Sequence, residues 1–150
     1  IWHENKVKIC LKDFKNNYDL VFSDCEIFDS NTSKVIINSF FDFYNCKKGV
    51  LNNILRNSYM GCCMSFKASL KNKILPFPKH IPMHDSWIGI NAEIYFNVKH
   101  NPQKLIKHRI HENNASETGS KSGSESILTK IIWRVSLTYC LFVNLFQKMF

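Results

Sequence analysis

A carboxylate at the start of a helix is suited to take a proton from a reacting hydroxyl group, and Asp85 is such a residue. Asp85 follows a loop with three prolines, which neither a helix nor a central strand accommodates. Residues 85–96 then have a helical pattern, so the start of this helix would direct Asp85 into a cleft. A positioned general base contributes about 10²–10⁴-fold to a rate. Asp is also strongly favoured as a helix N-cap, so the residues alone leave both roles open.

The segment Asp24-Cys25-Glu26 is a second acidic candidate, because it follows a predicted buried strand and imitates an Asp-x-Asp metal motif. A true Asp-x-Asp does not occur in the sequence. The six cysteines, at positions 10, 25, 46, 62, 63 and 140, include no pair with the two-residue gap of a zinc knuckle or a thioredoxin motif. We therefore expect free core thiols in a reducing cytosol.

Two common kinds of catalytic site are excluded by the sequence. The chain has five glycines and no glycine-rich phosphate loop, so Walker and dinucleotide fingerprints are missing. The nucleophile elbow of a serine hydrolase is missing as well.

The elements that must position these residues alternate between helix and strand, which predicts an α/β fold. Apolar spacing predicts helices over residues 3–15, 50–55, 85–96 and 127–147, and strands over residues 18–23, 27–28, 35–37, 59–66, 98–100 and 105–108. We divide the chain into a domain over residues 1–115, a Gly/Ser-rich polar linker over residues 116–126, and an amphipathic helix within residues 127–150.

The net charge of +8 is unevenly distributed. Residues 1–50 carry seven basic and seven acidic side chains, so the whole excess lies in the last two thirds of the chain. Basic surfaces attract phosphates, nucleic acid or anionic lipid, although drift in composition explains the excess equally well. The longest basic run is Lys47-Lys48 and no standard nucleic-acid motif is present, so we expect no nucleic-acid partner.

Three segments, in order, resemble family-two glycosyltransferases, especially the rhamnosyltransferase-like branch. They are Ile1-Trp2-His3-Glu4-Asn5-Lys6; Gly61-Cys62 with Pro76-Phe77-Pro78 and Pro82-Met83-His84-Asp85-Ser86-Trp87; and His108-Arg109-Ile110-His111-Glu112-Asn113-Asn114. The resemblance covers residues 1–115. The family has an acidic metal-binding motif directly before Ile-Trp, so we expect that motif and the donor-binding half to precede Ile1. This chain departs from the family at His108, which replaces a Tyr, and at Glu112, which replaces a common Gly.

The resemblance implies the acceptor-side part of a GT-A fold, a Rossmann-like domain with a mixed sheet, followed by a C-terminal helix. It also implies a role for each matching residue: Asp85 as the catalytic base; His84, Trp87, Gly61 and Cys62 as acceptor-binding residues; Arg109 as a donor-phosphate ligand; and His111 as a ligand of Mn²⁺ or Mg²⁺. Purely structural roles stay open for three of them, namely core packing for Trp87, an exposed strand charge for Arg109 and a hydrogen-bonded imidazole for His111.

The function implied by the resemblance is inverting transfer of a sugar, rhamnose by analogy, from a nucleotide-sugar donor to a glycan or lipid-linked glycan acceptor. We expect this work in the cytoplasm, at the inner face of the cell membrane, and we expect residues 1–150 to be inactive without the donor half. The alternatives are a basic binding module for nucleic acid or an anionic membrane surface, and a membrane-associated scaffold.

The last helix bears on the membrane question. Its length would span a bilayer, but Lys130 and Arg134 interrupt its apolar sequence. We therefore expect peripheral membrane contact through residues 127–148, with Lys130, Arg134 and Lys148 at anionic headgroups and Trp133 at the interface. Packing on the domain or on a second copy is the alternative.

Overall fold

The computed structural model describes residues 1–81, 83–111 and 126–147. Within them the helices are α1 (Lys6–Lys15), α2 (Phe40–Tyr44), α3 (Val50–Leu55), α4 (Lys71–Ile74), α5 (His84–Tyr95) and α6 (Ile127–Gln147). The strands are β1 (Leu20–Asp29), β2 (Val35–Ile37), β3 (Met64–Phe66) and β4 (Val98–Ile110). The predicted α/β class is thereby confirmed as a four-stranded mixed sheet with a C-terminal helix.

Strand β1 is the centre of the sheet. It pairs with β4 in parallel along its whole length, from Leu20 opposite Val98 to Asp29 opposite Ile110. The other edge of β1 is shared by two short antiparallel strands, with β3 beside its first three residues and β2 near its end. Both faces of β1 are covered, which explains why its first six residues are all buried.

The two faces of the sheet are covered by different helices. On one face, Cys10 of α1 packs with Val21 and Leu105. On the other face lies the main core, in which Phe22 of β1, Trp87 and Ile90 of α5, and Leu137 and Leu141 of α6 are buried together. Helix α6 is therefore part of the domain rather than an appended element.

The structure differs from the sequence prediction at two of the three strands that pair with β1, namely β3 and β4. The predicted strand over residues 59–66 is wrong for its first half, because residues 61–63 form a 3-10 turn and pairing begins at Met64. The two predicted strands over residues 98–100 and 105–108 are one strand. Pro102, which has no N–H to donate, lies in an irregularity where Ser23 faces Asn101 and Asp24 faces Lys104.

Helix α6 begins at a side-chain cap, in which the Ser126 hydroxyl accepts a hydrogen bond from the Thr129 N–H over 3.1 Å. Its length and composition would suffice to cross a membrane, but one face is fixed to the domain. Asn144 Nδ2 donates to Asn91 Oδ1 over 2.8 Å and to the Lys73 carbonyl over 3.2 Å. The predicted linker over residues 116–126 lies outside the described residues, except for Ser126.

The two charged residues of α6, Lys130 and Arg134, line a cavity of the domain. Arg134 Nη2 donates to the Leu55 carbonyl over 2.6 Å, and Lys130 lies beside it on the wall of the same cavity. Both cations therefore line a cavity of the domain, and the face opposite Leu137 and Leu141 is apolar and exposed. That face, which we call the outer face of α6, contains Leu128, Ile132, Val135, Tyr139, Phe142 and Phe146.

Candidate active site

The turn at Gly61 lies against the first turn of α5. A methyl group at Gly61 would be 3.7 Å from Nε2 of His84 and 3.9 Å from Cβ of Asp85. The His84 side chain is exposed and Gly61 and Asp85 are half-buried, so the group borders solvent. The fold therefore brings together the Gly-Cys and His-Asp parts of the middle motif.

Asp85 is a carboxylate that the protein partly desolvates. Burial raises the pKa of Asp85, while hydrogen bonds from the Ser86 and Gly61 backbone N–H groups and the neighbouring His84 act in the opposite direction. The Ser86 bond is 2.8 Å long. A raised pKa keeps the carboxylate basic, as proton abstraction requires.

The capping alternative for Asp85 is wrong. Met83 occupies the N-cap position of α5, and Asp85 is the second residue of the helix. A carboxylate in the first turn still interacts favourably with the helix dipole. The carboxylate also accepts a hydrogen bond from the Ser86 N–H of that turn, so Asp85 stabilises the start of α5 from a position inside the helix.

Cys62, next to Gly61, is paired with a histidine from β4. Its Sγ lies 3.9 Å from Nδ1 of His108 and 3.9 Å from Sγ of Cys63, and its carbonyl accepts a hydrogen bond from Lys6 Nζ over 3.3 Å. The Cys63 thiol, His108 and Lys6 lower the pKa of Cys62 to about 5, against the effect of desolvation. The other ring nitrogen of His108 is buried without a hydrogen-bond partner among the described residues.

The first resembling segment runs beside the last one. Trp2 forms an antiparallel bridge with Ile106 of β4. The backbone N–H and carbonyl of Lys107 bond to Ile1 over 2.9 and 2.7 Å, and His3 N donates to the Leu105 carbonyl over 3.0 Å. All three segments are thus in contact, the first through β4 and Lys6, the last through His108, and the middle one through Cys62.

The predicted acceptor-binding role of Trp87 does not fit its position in the structure. Its side chain is only 1% exposed, and its Nε1 donates to the Ile74 carbonyl over 2.9 Å. Trp87 is a core residue of α5 and presents no face to an acceptor sugar.

Arg109 and His111 lie at the end of β4. Because side chains alternate along a strand, Arg109 points to the face of β4 opposite to Ile106 and His108. His111 directly follows β4 and is exposed. The donor-phosphate role of Arg109 and the metal role of His111 stay predictions.

The acidic segment Asp24-Cys25-Glu26 is structural. Asp24 is buried and accepts hydrogen bonds from the Ser39 hydroxyl over 2.7 Å, from Phe41 N over 3.0 Å and from Cys25 N over 2.8 Å. The carboxylate of Glu26 lies 3.6 Å from Lys107 Nζ. These partners occupy the oxygens that a metal would need.

The described residues do not fit a complete metal site, since they contain no group of three or more His, Cys, Asp or Glu side chains that could hold an ion. His111 alone would supply one ligand.

Sequence reasoning missed two residues of this group, Lys6 and His108. His108 carried a signal, because it stands where the resembling family has Tyr, and a departure inside a motif indicates a changed local contact. Lys6 carried none, since its contact with the Cys62 carbonyl depends on how α1 is placed.

Comparison of the chain with protein-family models, with curated proteins and with solved structures gives no match.

Proposed function

We propose that this chain is the acceptor-side part of an inverting glycosyltransferase of family two, with a GT-A fold and Asp85 as its catalytic base. The observation that carries the proposal is the contact among the three resembling segments, which are far apart in the sequence. A resemblance without functional meaning gives no reason for Lys6, Cys62 and His108 to meet, or for Gly61 to lie against His84 and Asp85.

In the proposed reaction, an acceptor hydroxyl approaches Asp85 from the solvent side. The hydroxyl proton moves to the Asp85 carboxylate while the oxygen attacks the anomeric carbon of the donor sugar. The bond from that carbon to the nucleoside diphosphate breaks, and its electron pair leaves with the diphosphate. Attack opposite to the leaving group inverts the anomeric configuration.

The neighbouring residues have supporting parts in this proposal. His84 is exposed and donates or accepts a hydrogen bond at an acceptor hydroxyl, and Gly61 leaves room beside it. Cys62 and His108 border the same site and shape it. The Mn²⁺ or Mg²⁺ implied by the resemblance, with His111 as one ligand, stays a prediction.

The same proposal includes work at a membrane surface. The outer face of α6 is exposed over its whole length, with Ile132, Tyr139 and Phe142 each more than half accessible. An apolar stripe beside a basic protein surface is suited to the headgroup region of an anionic membrane. A lipid-linked acceptor would be available at that surface.

The test is Asp85→Asn in the enzyme that carries residues 1–150. Asn keeps the size of the side chain but removes the base, so we expect turnover of the nucleotide sugar to fall by at least about 10²-fold. Because the pKa of Asp85 is raised, folding favours its protonated form and disfavours the ionised carboxylate. The stability that protonated Asp85 contributes is therefore lost as the pH rises. The melting temperature of the variant at pH 7 should therefore be unchanged or higher.

Asp42→Asn is the matched control, because Asp42 also lies in the first turn of a helix and is exposed. It should leave turnover unchanged. Full turnover in Asp85→Asn would refute the catalytic assignment.

A further inference from the structure

A cavity of about 220 Å³ lies between the end of α3, the start of α5 and the first half of α6. Three cations line it, Arg56, Lys130 and Arg134, and no carboxylate does. Among the described residues none of the three forms a salt bridge. Arg56 and Arg134 are exposed and Lys130 is half-buried, so the cavity is open to solvent and presents a local positive charge that favours an anionic ligand.

The geometry of the cations favours phosphate. Guanidinium groups match phosphate oxygens with two parallel hydrogen bonds, and an ammonium group adds a point charge. The bond from Arg134 Nη2 to the Leu55 carbonyl fixes one guanidinium at the cavity wall and leaves its other N–H groups for a ligand. The first turn of α5 also contributes, since Met83 and Ser86 line the cavity near the positive end of the helix dipole.

The size of the cavity limits what it holds. Pockets for a whole drug-sized ligand measure about 300–1,000 Å³, so this cavity accommodates a headgroup rather than a complete nucleotide sugar. The remaining walls include Ile54, Trp133 and Leu137 and are apolar. The ligand that fits this cavity has a small anionic headgroup attached to an apolar group.

The apolar part of such a ligand would leave the cavity at Arg134. This residue also borders a shallow groove along α6, lined by Val135, Thr138, Tyr139 and Phe142. The groove follows the outer face of α6. A phosphate at Arg134 would therefore leave an attached apolar chain lying along exposed apolar side chains, which buries both.

We propose that the Arg56–Lys130–Arg134 cavity binds the phosphate or diphosphate of a lipid-linked acceptor, with the lipid chain in the groove along α6. This inference rests on the proposed function for the identity of the acceptor. Met83 and Ser86, which flank Asp85 in the sequence, both line the cavity. Asp85 itself does not line the cavity, so a sugar attached to the bound phosphate would extend past the first turn of α5 to reach it.

The test is calorimetric titration of the 150-residue chain, without any donor, with geranyl diphosphate, inorganic pyrophosphate, geraniol and uridine diphosphate. We expect geranyl diphosphate to bind more tightly than pyrophosphate, and geraniol to bind weakly. Lys130→Ala and Arg134→Ala should each weaken binding of both diphosphates by about tenfold or more, because a hydrogen bond to a charged group is lost. Tyr139→Ser should weaken the binding of geranyl diphosphate and leave the binding of pyrophosphate unchanged.

Lys15→Ala, which removes the same charge from α1 on the other face of the sheet, is the control and should leave all affinities unchanged. Thermal melting identifies a variant that fails to fold. Arg134→Ala could fail because Arg134 also bonds to the Leu55 carbonyl, and Lys130→Ala then still tests the cavity. Unchanged affinities in the folded cavity variants would overturn the proposal. Tighter binding of uridine diphosphate than of geranyl diphosphate would overturn the acceptor assignment.

The Asp85→Asn variant and the cavity variants test the proposed reaction and the proposed binding site separately. Asp85→Asn should leave geranyl diphosphate binding intact while it lowers turnover by at least about 10²-fold. Loss of turnover in Asp85→Asn with unchanged binding in the cavity variants would leave the enzyme proposal standing and reject the cavity.

Discussion

Among single residues, Cys62 has the most unusual surroundings. It is the exposed one of the six cysteines, and the Cys63 thiol, His108 and Lys6 lower its pKa to about 5. Cys46 is the opposite case, because burial and the nearby Asp24 raise the pKa of its thiol to about 12. A thiolate is the nucleophilic form of cysteine, so two thiols of one chain should differ greatly in reactivity.

We predict that iodoacetamide at pH 7 alkylates Cys62 first and leaves Cys46 unmodified, as measured by peptide mass spectrometry. The rate at Cys62 should be nearly constant from pH 8 to pH 6 and should fall as the pH drops through about 5. His108→Phe should shift that fall to higher pH. Equal labelling of Cys62 and Cys46 would contradict the assigned thiolate.

His100 is a second residue with a strong pH signature. Its ring lies among Phe22, Phe41 and Tyr59, with centroid distances of 5.4 to 5.8 Å. Desolvation, assisted by the charge of Lys48, lowers the pKa of His100 from 6.5 to about 4. The folded protein therefore holds a neutral imidazole where the unfolded chain would be protonated.

We expect the free energy of unfolding to fall as the pH is lowered from about 6.5 to about 4, because the unfolded state binds the extra proton in this range. The contribution of His100 is at most roughly 3 kcal/mol. His100→Phe should flatten this part of the profile, which urea unfolding at pH 7 and pH 4.5 measures. A profile that is equally steep in the variant would assign the pH dependence to other groups.

At the scale of elements, the packing of α5 depends on a glycine. The ring of Tyr59 lies directly on Gly89, and a Cβ at this position would overlap the ring carbons. The ring is fixed, since Tyr59 is 2% exposed and its hydroxyl donates to Glu93 Oε1 over 2.6 Å. Helix α5 could not approach the core this closely with any larger residue.

We predict that Gly89→Ala lowers the free energy of unfolding by roughly 1–3 kcal/mol, the usual effect of overpacking. This is opposite to the gain of about 1 kcal/mol that Ala gives inside an unconstrained helix. Gly61→Ala is the matched control, because its nearest atoms would be at ordinary contact distance. Thermal or urea unfolding of both variants measures these changes in the free energy of unfolding. If Gly89→Ala were more stable than the parent protein, the ring of Tyr59 would be free to move.

The sequence predicted elements well where apolar spacing was regular. Helices α1, α3, α5 and α6 lie where the spacing put them, and β1 was found from its apolar start. Helix α2 was missed because its five residues are too few to show a helical period, and four of them are aromatic. Its signal was the cap, since the Ser39 hydroxyl accepts from Asp42 N over 3.1 Å, a Ser-x-x-Asp pattern that spacing alone does not reveal.

The candidate site was predictable only in part, for a physical reason. The motif fixed the identity of Gly61, His84 and Asp85, and their contact follows from a turn facing a helix start. Trp87 was misplaced because a large aromatic residue one turn along α5 faces the core, and its direction depends on the rotation of the helix. The cavity at Arg134 was invisible to the sequence, because its walls come from three helices.

At the scale of the whole molecule, the outer face of α6 decides whether the protein binds membranes. We predict that the 150-residue chain sediments with phosphatidylglycerol vesicles, and less so at high salt. Ile132→Asp or Phe142→Asp should reduce the bound fraction several-fold without changing the melting temperature, because both side chains are exposed.

Val35→Asp, an exposed apolar residue of β2, is the control and should bind like the parent chain. If the chain stays in solution with vesicles and light scattering gives the mass of a dimer that Ile132→Asp dissociates, the face pairs with a second copy instead.

The parallel pairing of β1 with β4 has a consequence for biosynthesis. A ribosome that has finished β1 at Asp29 must add about 70 residues before Val98 appears, which takes roughly 3 to 14 s at about 5–20 residues per second. During that interval β1 has only the three-residue strands β2 and β3 as partners, and its apolar residues are unprotected. Asp24 and Glu26 interrupt the apolar run and limit association between nascent chains. Products that terminate before Val98 should therefore be the forms of this protein that depend most on chaperones.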